Sequence, residues 1–205
     1  MATTEFGTYH LSDNPKAYQP VRTNNFRFLV SGLDNLLRIG GNAADQSDYI
    51  RNSQEVIDFS VVKFDEPDFS QDEIKIDRGN STIYYAGKAS YRENSLIIND
   101  FAGADGKSIL RSWQALSYNP YDDTIPSSDV YKKDAIVLEY LPDNTLINYW
   151  ELKGCWVKGI STTGYDNDSS GKKIVTATIR YDRAYPHKAD EIVDGTRERL
   201  INLNR

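Results

Sequence analysis

The stretch KIVTATIRYD, residues 173–182, decides the fold class of this sequence. Apolar residues alternate with polar ones from Val175 to Tyr181, and a period of two residues is typical of a half-buried β-strand. Residues 26–30 and 72–77 alternate in the same way. Fourteen tyrosines and seven phenylalanines against a single methionine also favour strands over helices. The sequence therefore predicts a mainly β fold, a barrel or a sandwich.

Two hairpins are predicted from the order of the alternating runs. Residues 55–61 alternate, and we expect them to pair with residues 72–77 as a hairpin with one charged face. Residues 135–141 and 145–153 are predicted to form a second hairpin, because the segment 142–144 (PDN) between them is rich in turn-forming residues.

One packed helix is predicted between the hairpins. Ile109, Trp113 and Leu116 recur at helical spacing, and Asp105 is placed to accept hydrogen bonds from the first turn. The segment 83–87 before it is predicted to be a loop or a short strand. We expect this amphipathic helix to lie on the β-sheet.

The chain is predicted to be one domain with two extended arms. Residues 1–23 are polar, contain two prolines and show no lasting periodicity, which is typical of an N-terminal extended arm. Residues 24–186 form the β domain, and residues 34–54 are predicted to be a long insertion loop with one short helical turn. Residues 187–205 are predicted to be a C-terminal arm.

The charge and composition exclude several classes of protein. Thirty acidic residues against 24 lysines and arginines give a net charge of -6, which has the wrong sign for a protein that grips phosphate backbones. No window approaches the roughly 20 apolar residues of a membrane span, and we expect no secretion signal. With Cys155 as the single cysteine, an internal disulfide cannot form. Synthesis in a reducing cytoplasm is therefore expected.

The sequence favours a protein that is not an enzyme and holds no cofactor or metal. It contains no GxSxG or P-loop motif, and His10 and His187 lie in the predicted arms. Cys155 is predicted to be a small core residue. Residues 166–171 match the first half of a calcium loop, but Ala177 stands where the closing glutamate belongs, so a polar turn is the better interpretation. The carboxylate clusters are interpreted as solvated faces.

Six segments carry a resemblance to a known family. They are residues 25–28 (NFRF), 72–87, 113–115 (WQA), 131–137 (YKKDAIV), 151–157 (ELKGCWV) and 174–181. Their order and spacing over residues 24–186 resemble the tail tube proteins of contractile-tailed, myovirus-type bacteriophages. The fold implied by this resemblance is the tail-tube or Hcp-like β-barrel, with long hairpins and the helix on the outside.

The resemblance also implies a structural role in the virion. Tube proteins form hexameric rings that stack, and each subunit gives two long hairpins to a continuous inner barrel. Double-stranded DNA passes through the lumen during ejection without specific binding, after the tape-measure protein has left it. The implied partners are further copies of the chain, the tail sheath, the baseplate and the tail terminator, with no membrane. Assembly would take place in the host cytoplasm.

A lumen lined with carboxylates would repel phosphate and let DNA slide. The alternation places five acidic residues opposite the apolar faces of their predicted strands, which leaves open whether they meet the lumen or the outside solvent. These candidates for the lumen face are Asp58, Glu73, Asp77, Glu139 and Glu151.

Two other functions remain open at this point. The tube of a type VI or extracellular contractile injection system, or a tube initiator in a baseplate, would have the same architecture. A carbohydrate-binding β-sandwich belongs to a different class, in which the many tyrosines would form a stacking platform for sugars. That alternative predicts a monomer with a sugar ligand.

Overall fold

The computed structural model of the protein describes residues 21–33, 46–101, 106–168 and 170–189. These residues form helices α1 (Gln46–Ser60), α2 (Gly106–Ala115) and α3 (Ser128–Tyr131). They also form the strands β1 (Phe26–Val30), β2 (Val61–Phe64), β3 (Phe69–Arg78), β4 (Ser81–Tyr91), β5 (Asn94–Asn99), β6 (Lys133–Tyr140), β7 (Leu146–Thr162), β8 (Ile174–Arg180) and β9 (Arg183–Lys188). The prediction of a mainly β fold is confirmed.

Seven strands form one antiparallel sheet in the order β1-β6-β7-β8-β5-β2, with β9 also paired to β7. The predicted second hairpin is confirmed, since β6 pairs with β7 from Ala135 opposite Leu152 to Tyr140 opposite Leu146. The stretch 173–182 forms β8, and Val175, Ala177 and Ile179 are fully buried as its alternation predicts.

The register of strand β7 with β6 shifts in its middle, as at a β-bulge, where a strand bends, and β7 pairs with different strands on the two sides of this point. Its second half pairs with β8, and its first half pairs with β9, which follows β8 directly along the chain. Gly154 lies at the bend with φ +68°, a conformation that favours glycine. The Asp182 N–H donates to Lys153 O at 2.9 Å and keeps the two strands paired across the bend.

The strands β3 and β4 form a separate two-stranded hairpin. The predicted partner of residues 72–77 is therefore wrong, because these residues pair with residues 82–86 of β4 and not with residues 55–61. The segment 83–87, predicted as a loop or short strand, lies inside β4, which runs for 11 residues. Gly79 and Asn80 form the turn, with Gly79 at φ +58°.

The prediction of a strand over residues 55–61 is also wrong. Residues 55–60 belong to helix α1, and strand β2 begins at Val61. The buried residues Ser53, Ile57 and Ser60 recur at helical spacing, while Phe59 is 77% exposed. Two of the three buried positions are serines, so the helical period is hidden from a hydrophobic pattern. The apparent alternation combines Ile57, which is buried, with Phe59, which is exposed, and Val61, which begins β2.

One main core lies between the sheet and the helices. Ile109, Leu110 and Trp113 of α2 and Ile57 of α1 contact buried residues of β1, β5, β6, β7 and β8. The predicted packing of the helix on the sheet is thus confirmed. A second buried cluster lies on the opposite face of β1, β6 and β7 and consists of Leu29, Ile136, Leu138 and Tyr149.

Regular secondary structure occurs in two segments that the domain division assigns to a loop and to an arm. Residues 46–54 of the predicted insertion loop form the first part of α1. Residues 187 and 188, assigned to the C-terminal arm, belong to β9 and pair with β7. Three predicted features lie outside the described residues: the arms before residue 21 and after residue 189, residues 34–45 of the loop, and the capping residue Asp105.

Candidate assembly surface

The β3–β4 hairpin has one apolar face that the described residues leave exposed. In the register of the hairpin, Ile74 lies opposite Tyr85 and Ile76 lies opposite Ile83, so these four side chains share one face. Their exposed fractions are 52%, 50%, 41% and 38% in that order. Exposed apolar patches of this kind mark interaction sites on soluble proteins.

The other face of the hairpin is polar. Lys75 lies opposite Tyr84, and Asp77 lies opposite Thr82. The Thr82 hydroxyl donates to Asp77 Oδ1 at 2.7 Å, and Lys75 Nζ lies 3.4 Å from the same oxygen. The predicted alternation of apolar and charged residues along residues 72–77 is therefore confirmed, although both faces are exposed in the single chain.

The base of the hairpin is held to the body by aromatic contacts. The ring of Tyr91 lies 5.9 Å from Phe69 and 5.8 Å from Tyr181, measured between ring centroids. The Tyr181 hydroxyl also accepts from the Asp68 N–H at 3.3 Å, and burial raises the pKa of this tyrosine. Among the described residues only the base is anchored in this way, and the ten residues of β3 extend for about 30 Å at the usual rise of a strand.

Near the base of the hairpin lies a groove with a volume of about 570 Å³. It runs between the edge strands β1 and β2 and continues toward β3. Aromatic and aliphatic side chains form most of its floor, and two carboxylates lie along it. The apolar side chains include Phe26, Phe64, Pro67 and Trp150, and the two carboxylates are Glu66 and Glu139.

Helix α1 blocks most of the free edge of β1 beside this groove. The Val30 N–H donates to Gln54 Oε1 at 3.0 Å, and Gln54 Nε2 donates to Phe28 O at 3.2 Å. The side-chain amide thus makes the two hydrogen bonds that a further strand would make. The β1 edge is therefore closed to another chain at these positions.

The five predicted lumen carboxylates do not share one surface. Asp58 lies on α1, where it accepts from Arg27 Nε at 2.8 Å and is 17% exposed, and this hydrogen bond raises the pKa of Arg27. Glu73 and Asp77 lie on the polar face of the hairpin. Glu139 and Glu151 point to opposite faces of the main sheet, since Glu151 lies opposite Ile136 and Glu139 is three residues beyond it.

The two sheet carboxylates also differ in their partners. Glu139 accepts from Asn148 Nδ2 at 3.3 Å beside the groove. Glu151 lies 2.6 Å from Lys153 Nζ and 3.9 Å from His187 Nε2. Among the described residues, Glu73 and Asp77 are therefore the two of these five carboxylates that lie together on one exposed face.

Sequence reasoning missed the groove and the role of Gln54. The groove joins residues from four strands, and their pairing could not be read from the chain. The role of Gln54 depends on hydrogen bonds to residues more than 20 positions away in the chain, and no sequence pattern around Gln54 indicates them. The apolar face of the hairpin is visible in the sequence, but alternation predicts a half-buried strand and does not say what covers its apolar face.

No protein-family model matches the sequence. Among curated proteins, none matches it either. Helices long and apolar enough to cross a membrane are not found among the described residues.

Solved structures with a similar fold come from contractile injection systems. A chain of the anti-feeding prophage (AFP) baseplate has a TM-score of 0.56 at 11% identity and covers 82% of this chain and 96% of that chain. A chain of the PVC sheath–tube complex in the extended state, from an extracellular contractile injection system, gives 0.54 at 15% identity, with 91% and 100% covered. A chain of the AFP tube-terminating cap gives 0.53 at 16% identity, with 83% and 92% covered. The chain therefore has the fold that contractile injection systems use in the cap, the sheath–tube complex and the baseplate.

Proposed function

We propose that this protein is a structural, non-enzymatic tail tube protein of a contractile-tailed bacteriophage, whose copies form stacked hexameric rings. The observation that carries the proposal is the long β3–β4 hairpin with its exposed apolar face. In a single chain this face destabilises the soluble state, whereas in an assembly it is covered. The fold shared with tube and cap structures of contractile injection systems supports the same conclusion.

The apolar face of the hairpin cannot fold back onto the groove of its own chain. Pro67, which lines the groove, directly precedes the base of the hairpin, and Ile76 lies seven residues beyond Phe69 along an extended strand. That distance is about 20 Å at the rise of a strand. We therefore assign the hairpin to the groove of a neighbouring copy. Contact between two different surfaces of identical chains produces rings or filaments.

The burial of this face supplies enough free energy to matter for assembly. The four side chains expose apolar area on the order of 300 Å², which corresponds to about 7 kcal/mol at about 25 cal/mol per Å² if all of it is buried. Part of that gain is offset by the freedom lost on association. A ring has six such contacts, and closure of the ring makes them cooperative.

The polar face of the hairpin is the candidate for the lumen. Glu73 and Asp77 lie on this face, so a hairpin that buries its apolar face would turn these carboxylates outward from the contact. Carboxylates repel the phosphates of double-stranded DNA and would let it pass without binding. We expect the Glu73→Gln/Asp77→Asn variant to slow ejection, and unchanged ejection kinetics would remove these residues from the lumen assignment.

The partners in this proposal are those of a tail. The tape-measure protein fills the lumen before ejection, the sheath surrounds the tube, and the baseplate and terminator close its ends. The assembled particle forms in the host cytoplasm. A tube of an injection system is the second candidate, because the structures with a similar fold come from such systems. Neighbouring genes for a capsid would favour the phage.

The experiment that tests the proposal is negative-stain electron microscopy with size-exclusion chromatography over a concentration series. We expect hollow rings or stacked tubes for the wild type. The Ile76→Asp variant, on the apolar face, should abolish them, while Tyr84→Asp, on the polar face and also exposed, should retain them.

Far-UV circular dichroism must show that both variants are folded. A compact monomer at every concentration contradicts self-assembly, and a glycan array then tests the carbohydrate-binding alternative. Equal loss of assembly in both variants would show that the apolar face is not the contact.

A further inference from the structure

The apolar face of the β3–β4 hairpin ends in a cation near the turn. Arg78 lies two residues beyond Ile76 on β3 and opposite Ser81 of β4, so its side chain is on the same face as Ile74 and Ile76. Arg78 is exposed, and the described part of the chain gives it no ion pair. The face therefore presents apolar side chains and then a guanidinium, about 7 Å beyond Ile76 at the rise of a strand.

The groove that we assign to this hairpin offers the complementary groups. Val137 and Glu139 both line it and are two residues apart on β6, so an apolar contact and a carboxylate are again separated by about 7 Å. Glu66 lines the groove as well. Both glutamates and Trp150 also line an adjoining depression of about 360 Å³ beside β9. These three side chains therefore lie where the groove and the depression meet.

A guanidinium is the cation that these three side chains fit best. It can donate two parallel hydrogen bonds to a carboxylate, and its planar group stacks on the face of an indole ring. Glu139 accepts from the Asn148 side-chain amide at 3.3 Å, and this neutral donor does not compensate the carboxylate charge. The end of the groove is thus built for the head of an arginine.

The cations that line the groove and the depression do not pair with the two glutamates. Lys63 Nζ lies 2.8 Å from Asp65 Oδ1, so its charge is compensated by another carboxylate. Arg22 lines the groove and Lys188 lines the depression, and within the described residues no ion pair links either of them to the two glutamates. A cation from another chain would therefore meet two carboxylates that lack an ionic partner in this part of the structure.

We propose that Arg78 of one copy pairs with Glu66 and Glu139 in the groove of the next copy, against Trp150. The pairing rests on the proposed function, because it requires the hairpin of one copy to contact the groove of another. It would also fix the register of that contact. A hairpin shifted by two residues would place Ile76 at the carboxylates, and charge complementarity disfavours this arrangement.

The test reverses the charge on each side and then combines the two variants. Arg78→Glu and Glu66→Arg/Glu139→Arg should each prevent ring formation under conditions in which the wild type assembles, because like charges then meet. An equimolar mixture of the two variants should restore rings. In the mixture, each hairpin finds a groove of opposite charge on the other variant. Negative-stain electron microscopy and size-exclusion chromatography provide the measurements.

A neutral variant and a control on the other face measure the strength of the pairing. Arg78→Gln should raise the concentration at which half of the chains assemble about tenfold, and assembly should depend less on salt than in the wild type. Lys75→Glu makes the same change of charge as Arg78→Glu but lies on the polar face of the hairpin. This control should retain assembly.

Circular dichroism checks that each variant is folded. Glu139 is half-buried, so Glu66→Arg alone, at an exposed residue, replaces the double variant if the latter does not fold. Rings that survive Arg78→Glu, or a mixture that stays unassembled, would overturn the pairing and leave the tube function standing. A wild type that is monomeric at every concentration would contradict the tube function, and the pairing with it.

Discussion

The replacement of Gly154 by alanine tests whether the bend of β7 depends on a single residue. Gly154 has φ +68°, and a Cβ atom built there would contact Asp182 Oδ2 and lie 3.0 Å from Asp182 Cγ. A residue other than glycine in this conformation costs about 1–2 kcal/mol. The Asp182 carboxylate must also move and lose its ion pair with Lys132, at 2.6 Å, and half-exposed pairs of this kind contribute about 0.2–1 kcal/mol.

We therefore expect Gly154→Ala to lower the free energy of unfolding by about 1.2–3 kcal/mol, from the sum of the two costs. Alanine variants of two other glycines allow the conformational cost and the cost of the Asp182 contact to be measured separately. Gly79 has φ +58° but open space around it, so Gly79→Ala carries the conformational cost alone. Gly159 lies in the same strand as Gly154, with no atom within 4 Å and no positive φ, so Gly159→Ala should change stability by less than about 1 kcal/mol.

The assay is urea denaturation followed by far-UV circular dichroism. The expected order of destabilisation is Gly154→Ala, then Gly79→Ala, then Gly159→Ala. In the Asp182→Ala background, which already lacks the ion pair with Lys132, Gly154→Ala should cost only the conformational part. If Gly154→Ala costs no more than Gly159→Ala, the bend does not need glycine and the reasoning is refuted.

Three further predictions concern single side chains. Gln54→Ala leaves a backbone N–H and a C=O of β1 without their partner and should lower the free energy of unfolding by about 1–3 kcal/mol in the same urea assay, whereas Gln71→Ala on the hairpin should have little effect. Cys155 is fully buried and burial raises the pKa of its thiol, so iodoacetamide at pH 8 should modify it in urea and not in the native protein; rapid native modification contradicts its place in the core. A hydrogen bond from Lys173 Nζ, at 3.1 Å, lowers the pKa of Tyr165, so this pKa should rise toward its ordinary value in Lys173→Met, measured by NMR of ¹³C-labelled tyrosine, and an unchanged pKa would show that the hydrogen bond is absent in solution.

Strands with one buried face were predictable from the sequence. Along β8, Val175, Ala177 and Ile179 are buried in the core while Thr176 and Thr178 lie on the other side, so the period of two survives in the chain. The β6–β7 hairpin was predictable for the same reason, together with the turn at residues 142–144. In these segments the local pattern and the tertiary environment agree.

Helix α1 was not predictable because its buried face is not hydrophobic. Ser53 and Ser60 are buried beside Ile57, while the large apolar Phe59 lies in solvent. A method that follows hydrophobicity sees Ile57, Phe59 and Val61 and assigns a strand. The tertiary contacts that override this pattern are the Gln54 and Asp58 hydrogen bonds to β1, and neither leaves a periodic signal.

The candidate site was predictable in part. Alternation along residues 72–77 gave the correct division of apolar and charged side chains on the hairpin. It could not give the partner strand, because the alternation of residues 55–61 predicts them as the partner and residues 83–87 are predicted to be only a loop or a short strand. It could not give the grouping of the carboxylates either, since Glu139 and Glu151 have the correct local pattern but point to opposite faces of the sheet.

The free edges of the main sheet are protected against pairing with a further strand, whereas the apolar face of the β3–β4 hairpin is exposed. Gln54 occupies the hydrogen-bonding groups of Phe28 and Val30 on β1. The edge strand β9 contains Pro186, which has no N–H to offer, and β2 is four residues long with an irregular register. These three edges are thus poor templates for a further strand. The apolar face of the β3–β4 hairpin has no comparable protection among the described residues, so the contact in the proposed assembly is assigned to a face of the hairpin rather than to an edge of the main sheet.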